Sequence, residues 1–301
     1  MERRRELCAE LSLANAEPLA ATASRVENWI LVEYRGLWNR ELLSGSVLSD
    51  ALKEHLLAQL AALPRSRLLF VRRPDRRDHP RYAVYFGSTP ERGGRFHTLE
   101  LDAHDDLVEL DLAACLAGSA SAGAPVDHPL LVVCTHGKRD RCCAKFGRPL
   151  YDELCAQAER DWVWQSTHVG GDRFAGNLVS LPAGLYFGRV ERSDVWSLLD
   201  ELLAGRIAME RYRGRCCYTF PEQAAEREVR ELTGLKGIDD LRLLASERDG
   251  EGWRVRYRAG AAEYDLDVAA EFGEPTYLTC DAARPVRPPR YAARVRRGRP
   301  R

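Results

Sequence analysis

The same order of predicted elements occurs twice along this chain, and that repetition limits the folds it can adopt. Each copy begins with a short apolar strand, continues through a helix and a second strand, and ends in a hairpin. The elements of the first copy cover residues 29–34, 48–63, 67–71, 82–86 and 96–101. Those of the second cover residues 130–133, 144–158, 162–166, 177–181 and 185–190, with an amphipathic helix over 194–203.

Strand, helix, strand and hairpin is the order of a thioredoxin-like sheet covered by helices. We therefore predict a mixed α/β fold built from tandem thioredoxin-like units. Residues 118–125 are small and turn-forming, so we place a boundary there. The predicted units cover residues 1–120 and 126–210.

The pattern changes beyond residue 211. A helix over 221–232 and three short strands near residues 241–245, 253–257 and 264–268 predict a small α+β extension over 211–283. Residues 284–301 contain eight arginines and four prolines and little apolar surface, which predicts a disordered basic tail.

Charge and hydropathy exclude several classes of partner. Lys plus Arg and Asp plus Glu number 45 each in the 301 residues, so no net field favours nucleic acid or an anionic membrane. Residues 1–6 lead into a mixed segment without the apolar centre of a secretion signal, and no apolar run reaches the ~18 residues of a membrane span. We expect a cytoplasmic protein that binds neither nucleic acid nor membrane.

Nine cysteines in a chain without a secretion signal argue against a disulfide framework. Cysteines are dense only in residues 134–143. The others are interpreted as small buried packing residues: Cys8, Cys115, Cys155, Cys216, Cys217 and Cys280.

Residues 134–143 (CTHGKRDRCC) come directly after an apolar strand and directly before a helix. Thiols at the start of a helix have a lowered pKa, and the thiolate is the form that binds metal. Four nearby basic residues act in the same direction and offer a docking rim: His136, Lys138, Arg139 and Arg141.

A second segment rich in metal-ligating residues, 166–174 (STHVGGDRF), follows the next strand. The ends of two parallel strands meet at the same edge of a sheet, so His168 and Asp172 are expected to face the cysteines. Gly170 and Gly171 would let the backbone approach a bulky cofactor, and we assign them to cofactor binding together with Arg173.

These segments resemble the sucrase/ferredoxin-like family, which is related to thioredoxin-like [2Fe-2S] ferredoxins. The resemblance rests on residues 134–143, on 168–175 (HVGGDRFA), on 181–188 (LPAGLYFG) and more loosely on 29–38, and it spans most of residues 25–220. The family holds its cluster with C-x8-C and H-x3-H. The resemblance therefore implies Cys134, Cys143 and His168 as ligands of a [2Fe-2S] cluster, with Asp172 at the position of the second histidine.

The fourth ligand stays open at this point. Asp172 binding through oxygen, Cys142 and His136 are the alternatives, as is a site without a cluster. Spacing alone allows either Cys142 or Cys143 to face Cys134. Neighbouring side chains diverge at a loop-to-helix junction, so one of the two is expected to be the ligand and the other to face the helix packing. The resemblance implies that the ligand is Cys143, and we favour it.

The resemblance implies an electron-transfer or redox-sensing protein that works with a redox partner protein, a reductase or an electron acceptor. An electron carrier is expected rather than a stand-alone enzyme. Glycoside hydrolysis would need two carboxylates flanking a sugar pocket, and no sequence feature singles out such a pair. The alternative is a thiol-disulfide oxidoreductase or a zinc-stabilised binding module that uses the same cysteines. A thiol-disulfide oxidoreductase would be expected to carry C-x-x-C at the helix start, where this chain has two adjacent cysteines. Two thiolates, a histidine and an aspartate would suit zinc.

Overall fold

The computed structural model describes residues 6–74 and 79–299. The α-helices in this part of the chain are α1 (Cys8–Ala14), α2 (Asp50–Ala62), α3 (Leu112–Leu116), α4 (Arg141–Gln157), α5 (Val195–Leu203) and α6 (Phe220–Thr233). The strands of a first sheet are β1 (Asn28–Glu33), β2 (Ser66–Arg72), β3 (Tyr82–Ser88), β4 (Arg95–Leu101), β5 (Ala124–Pro125), β6 (Leu130–Cys134), β7 (Val163–Ser166), β8 (Leu178–Leu181), β9 (Leu185–Phe187) and β10 (Tyr212–Arg215). Those of a second are β11 (Leu241–Asp249), β12 (Gly252–Ala259), β13 (Ala262–Phe272) and β14 (Pro289–Arg299).

The first sheet has the strand order β10-β9-β8-β6-β7-β2-β1-β3-β4-β5. In the first half, β1 and β2 pair in parallel and are connected by α2. The β3–β4 hairpin extends the sheet, with β3 antiparallel to β1. In the second half, β6 and β7 are parallel across α4, and the β8–β9 hairpin adds antiparallel to β6. Both halves therefore have the same strand order, and the predicted mixed α/β fold with a repeated unit is confirmed. The thioredoxin-like character of the units stays a prediction.

The two halves join edge to edge. Strands β2 and β7 pair antiparallel, with Val71 opposite Ser166. One face of the resulting sheet carries a core shared by both halves, to which Trp29, Leu69 and Trp164 belong. The central strands are buried on both faces, which explains why they read as unbroken apolar runs.

Separate cores cover the opposite face of each half. Ile30 and Val32 of β1 pack in the core that contains Leu52 of α2. Leu131 and Val133 of β6 pack in the one that contains residues of α4 and α5. Helix α2 starts where the side chain of Ser49 accepts a hydrogen bond from the Leu52 backbone N–H, a regular N-cap.

The second sheet is an antiparallel meander in the order β11-β12-β13-β14, and α6 packs against it. A capping box between Thr219 and Glu222 opens α6. Inside that helix Glu226 and Arg230 form a fully buried ion pair of 3.0 Å.

The prediction of a disordered tail over residues 284–301 is wrong, because β14 occupies Pro289–Arg299. This strand pairs along β13 from Phe272 opposite Pro289 to Glu263 opposite Arg299. Tyr291, Ala293 and Val295 alternate toward the core of the second sheet, and the free edge of β13 supplies the backbone partners. Its arginine-rich composition hid this alternation.

The predicted boundary at residue 211 also needs correction. Strand β10 pairs with β9, so the first sheet extends to Arg215 before α6 begins. Residues 1–5 of the opening segment and residues 300–301 of the tail lie outside the described residues. Across the described ranges, none of the helices is long and apolar enough to cross a membrane.

Candidate metal centre

The predicted ligands lie at the carboxyl ends of β6 and β7, in the second half of the first sheet. Cys134 is the last residue of β6, and Cys143 lies in the first turn of α4. His168 follows β7 by two residues, and Asp172 begins a short 3-10 turn. Cys134 and Ser166 are register partners in the parallel β6–β7 pair, so the loops that follow these strands meet as expected.

The four side chains form a close group. The metal-ligating atoms of Cys134, Cys143 and His168 all lie within 4.8 Å of one another. The Cys143 thiol donates to Oδ1 of Asp172 at 3.1 Å. That same oxygen lies 2.9 Å from Nδ1 of His168, an ion-pair distance without hydrogen-bond geometry.

Burial differs sharply across the group. Cys134, Cys143 and Asp172 are almost completely buried. The His168 side chain is 24% exposed. His168 therefore links this buried group to the surface.

Electrostatics within the group separate the two thiols. Hydrogen bonding with Cys143 lowers the pKa of Cys134 well below its usual range, and His168 acts in the same direction against burial. The contact with Cys134, reinforced by burial, raises the pKa of the Cys143 thiol. Burial alone would lower the pKa of His168, but Asp172 and Cys134 outweigh it and raise that pKa to about 9.

The donor set suits a soft metal centre. Two thiols and an imidazole are the ligand types that bind zinc and iron–sulfur clusters, and a carboxylate adjoins them. Nδ1 of His168 is buried and makes no hydrogen bond, so it is an unsatisfied polar atom within the group. A bound metal would satisfy the sulfur and nitrogen donors together.

Arg213, a residue that the sequence analysis did not single out, fixes the loop that carries His168 and Asp172. Its fully buried guanidinium donates to the backbone oxygen of Gly170 at 3.0 Å and to Oδ1 of Asn177 at 2.7 Å. It also donates to the backbone oxygen of Thr22 at 2.6 Å. No sequence signal connects an arginine on β10 with a loop some 40 residues earlier.

The three residues assigned to cofactor binding have protein partners instead. A Cβ on Gly170 would lie 2.5 Å from Oγ of Ser24, and one on Gly171 would lie 2.4 Å from Nη2 of Arg213. Both glycines have positive φ angles of +100° and +82°. They are needed for the turn and its packing, and their part in cofactor binding stays a prediction.

Arg173 likewise has protein partners. Its Nε donates to Oε1 of Glu17 at 2.7 Å, and its guanidinium lies over the Phe174 ring. Arg173 therefore fastens the loop to the segment that follows α1.

Of the alternatives for a fourth ligand, the geometry favours Asp172. Nε2 of His136 lies 2.9 Å from the backbone oxygen of Asn39, so that nitrogen already has a protein partner. Cys142 belongs to a different cluster, in which its Sγ lies 3.4 Å from Sγ of Cys280. Asp172 alone of the three contacts both Cys143 and His168.

The predicted basic rim is partly accessible. Lys138 and Arg141 are exposed, and Arg139 is half-buried. His136 is buried, and burial lowers its pKa, so it contributes no positive charge to a surface.

Comparison with known proteins gives one family. The profile of the sucrase/ferredoxin-like family matches residues 19–214. Three fungal relatives are each named altered inheritance of mitochondria protein 32. The one from Meyerozyma guilliermondii is 35% identical over 95 residues, covering 28% of this chain and 34% of the relative. The one from Eremothecium gossypii is 28% identical over 205 residues, covering 60% of this chain and 64% of the relative.

The relative from Debaryomyces hansenii is 32% identical over 95 residues, covering 28% of this chain and 35% of its own length. The chain thus spans between about a third and two thirds of the length of these relatives. No solved structure matches significantly.

Proposed function

Because the chain belongs to the sucrase/ferredoxin-like family, we propose that it carries a [2Fe-2S] cluster at the site built on Cys134, Cys143 and His168. Asp172 is the proposed fourth ligand. In this role the protein is a thioredoxin-like ferredoxin that works in electron transfer or redox sensing, and it is an electron carrier rather than a hydrolase.

One observation carries the proposal: two buried thiols and an imidazole have their ligand atoms within 4.8 Å of one another at the ends of two parallel strands. These residues come from rigid elements on both sides, so the donors are held in place before any metal binds. A bound cluster would supply a one-electron redox couple.

Each proposed ligand has its own role at the site. Cys134 and Cys143 provide buried thiolate donors from which water is excluded. The carboxylate of Asp172 lies beside both the Cys143 thiol and the His168 ring, where it would complete the ligand set. His168, as the exposed member, provides the shortest route between the site and a partner docked on the surface.

Charge sets the expected potential. An oxidised [2Fe-2S] core carries about +2, so two thiolates, one neutral histidine and one carboxylate give a total of about −1. A site with two thiolates and two histidines would be about neutral and easier to reduce. The substitution of aspartate for histidine at position 172 therefore favours a lower potential.

The partner that we propose is a redox protein, a reductase or an electron acceptor, with an acidic docking face. The exposed side chains of Lys138 and Arg141 follow Cys134 and lead into α4, close in sequence to the proposed ligands. Complementary charge of this kind speeds encounter and is screened by salt. We expect a cytoplasmic location, in keeping with the free state of the cysteines.

A zinc site is the second candidate, and the compactness of the group favours it. Ligand atoms within 4.8 Å suit one tetrahedral ion, whereas a binuclear cluster needs its two ligand pairs to separate. A thiol-disulfide oxidoreductase fits less well, because its attacking thiolate must be accessible and both thiols here are buried.

The test is metal and sulfide analysis of protein purified without oxygen, together with its visible spectrum. We expect red-brown protein with about two iron atoms and about two acid-labile sulfides per chain. Colourless protein with stoichiometric zinc at this site would support the second candidate instead.

A further inference from the structure

A second cysteine cluster lies beside the first, and the proposed function does not use it. Cys8 opens α1, Cys142 lies in the first turn of α4, and Cys280 lies in the loop 273–288 between β13 and β14. Their sulfur atoms form a triangle with sides of 3.6 Å (Cys8–Cys142), 3.4 Å (Cys142–Cys280) and 3.7 Å (Cys280–Cys8). All three side chains are buried, and none is in a disulfide.

Asp140 brings a carboxylate to the same cluster. As the N-cap of α4, it accepts a hydrogen bond from the Cys142 backbone N–H at Oδ1 (2.8 Å), and at Oδ2 from the Cys280 backbone N–H (2.6 Å). Both carboxylate oxygens lie 3.9 Å from Sγ of Cys8. The ligand atoms of all four residues lie within 4.8 Å of one another.

These spacings match those of a metal site better than a disulfide. A disulfide joins two sulfurs at about 2.05 Å and would leave the third thiol out. Tetrahedral zinc with a Zn–S distance of about 2.3 Å holds its sulfurs about 3.8 Å apart. The centre of the sulfur triangle lies about 2.1 Å from each of the three sulfur atoms. A zinc ion with Zn–S distances of about 2.3 Å would therefore lie about 1 Å above or below the plane of the sulfurs.

We propose that Cys8, Cys142 and Cys280 bind one zinc ion, with Asp140 as the fourth ligand. The inference is independent of the proposed cluster, because it rests on different side chains. Four protein ligands in a buried position are the mark of a structural zinc site, which keeps no open coordination position for substrate. The zinc ion has a structural role and takes no part in electron transfer.

The position of the ion in the fold gives it that role. Cys8 and Cys280 are 272 residues apart in the sequence, and both are held against the start of α4. A link that closes so long a loop restricts the unfolded chain strongly. The zinc would fix α1 and loop 273–288 on the helix that also carries Cys143.

The first test uses cobalt(II) as the probe on the full chain. In a Cys134→Ser/Cys143→Ser background, stripped of metal under reducing conditions without oxygen, one equivalent of cobalt should produce the thiolate charge-transfer band and the visible bands of tetrahedral cobalt. Adding Cys8→Ser and Cys280→Ser should abolish both bands. Cys115→Ser, at a buried cysteine outside both clusters, is the matched control and should retain them. Bands that survive the loss of Cys8 and Cys280 would overturn the proposal.

The second test needs no variant and so does not depend on their folding. Native protein should contain one zinc per chain in addition to any iron, and alkylation mapped by mass spectrometry should leave the three thiols unmodified until a strong chelator removes that zinc. Purified protein that has a disulfide within the cluster, or whose three thiols react equally before and after chelation, contradicts the proposal. Iron and sulfide measured on the same sample report on the first site separately.

Discussion

Cys142 and Cys143 are consecutive in the sequence, yet their sulfur atoms belong to different clusters. Sγ of Cys143 contacts Asp172 at 3.1 Å, whereas Sγ of Cys142 contacts Cys280 at 3.4 Å. Adjacent side chains at the start of a helix diverge by about 100°, so one turn of α4 serves both groups. The two thiols should therefore be separable by mutation.

The first prediction concerns that separation. Cys143→Ser should remove or strongly destabilise the proposed iron–sulfur cluster, because it deletes a buried donor, while Cys142→Ser should leave the EPR spectrum of reduced protein nearly unchanged. Iron content and EPR measure the difference, with Cys115→Ser as the control. If Cys142→Ser abolishes the signal and Cys143→Ser preserves it, the assignment of the second thiolate is wrong.

The second prediction concerns position 172. Asp172→His should retain the cluster and raise the midpoint potential, because it removes about one negative charge from the ligand set. A potentiometric titration followed by EPR measures the shift. Asp172→Asn keeps the size of the side chain while removing its charge and should lower cluster occupancy. An unchanged potential in a fully loaded Asp172→His protein would mean that Asp172 is not a ligand.

The third prediction tests the support of the His168 loop. Gly171→Ala places a Cβ 2.4 Å from Nη2 of Arg213, a guanidinium that several hydrogen bonds hold in place, and it does so at a φ of +82°. We expect a destabilisation of about 1–3 kcal/mol together with reduced metal occupancy.

Gly205→Ala is the matched control, since it has a similar φ of +70° and open space around it. It should cost about 1 kcal/mol and leave the metal content unchanged. Equal metal content in the two variants would show that the loop does not depend on this packing.

The fourth prediction concerns the stability of the C-terminal unit. Arg230→Met removes the partner of Glu226, a buried carboxylate that also accepts a hydrogen bond from Tyr212 at 2.8 Å. Leaving that charge unpaired should cost about 3–5 kcal/mol in urea unfolding. Arg227→Met on the same helix removes a pair with the exposed Glu231 and a hydrogen bond to the Met209 backbone oxygen, and it should cost about 1 kcal/mol or less. If both variants lose similar amounts of unfolding free energy, burial of the Glu226–Arg230 pair does not determine its contribution.

Local patterns predicted much of the fold. The duplicated strand–helix–strand–hairpin order follows from periodicity within short segments, and the strand pairing bears it out. The placement of Cys134 and His168 follows from the parallel pairing of their strands. These inferences needed only local sequence and general topology.

Features that depend on distant partners were missed. Strand β14 forms because β13 has a free edge, which its own arginine-rich sequence does not reveal. The meeting of Cys8 with Cys280 spans 272 residues and gives no signal in the spacing. The requirement for Gly171 comes from Arg213, which arrives from the far edge strand of the sheet.

We propose that one histidine and two cysteines of the second half hold an iron–sulfur cluster. The most direct measurement is electron spin-echo spectroscopy of reduced protein that contains 15N-labelled histidine. We expect a paramagnetic signal with strong coupling to one histidine nitrogen. This nitrogen coupling should be lost in His168→Cys and retained in His136→Ala. A reduced sample with no paramagnetic cluster signal, or with a signal that shows no directly bound nitrogen, would contradict it.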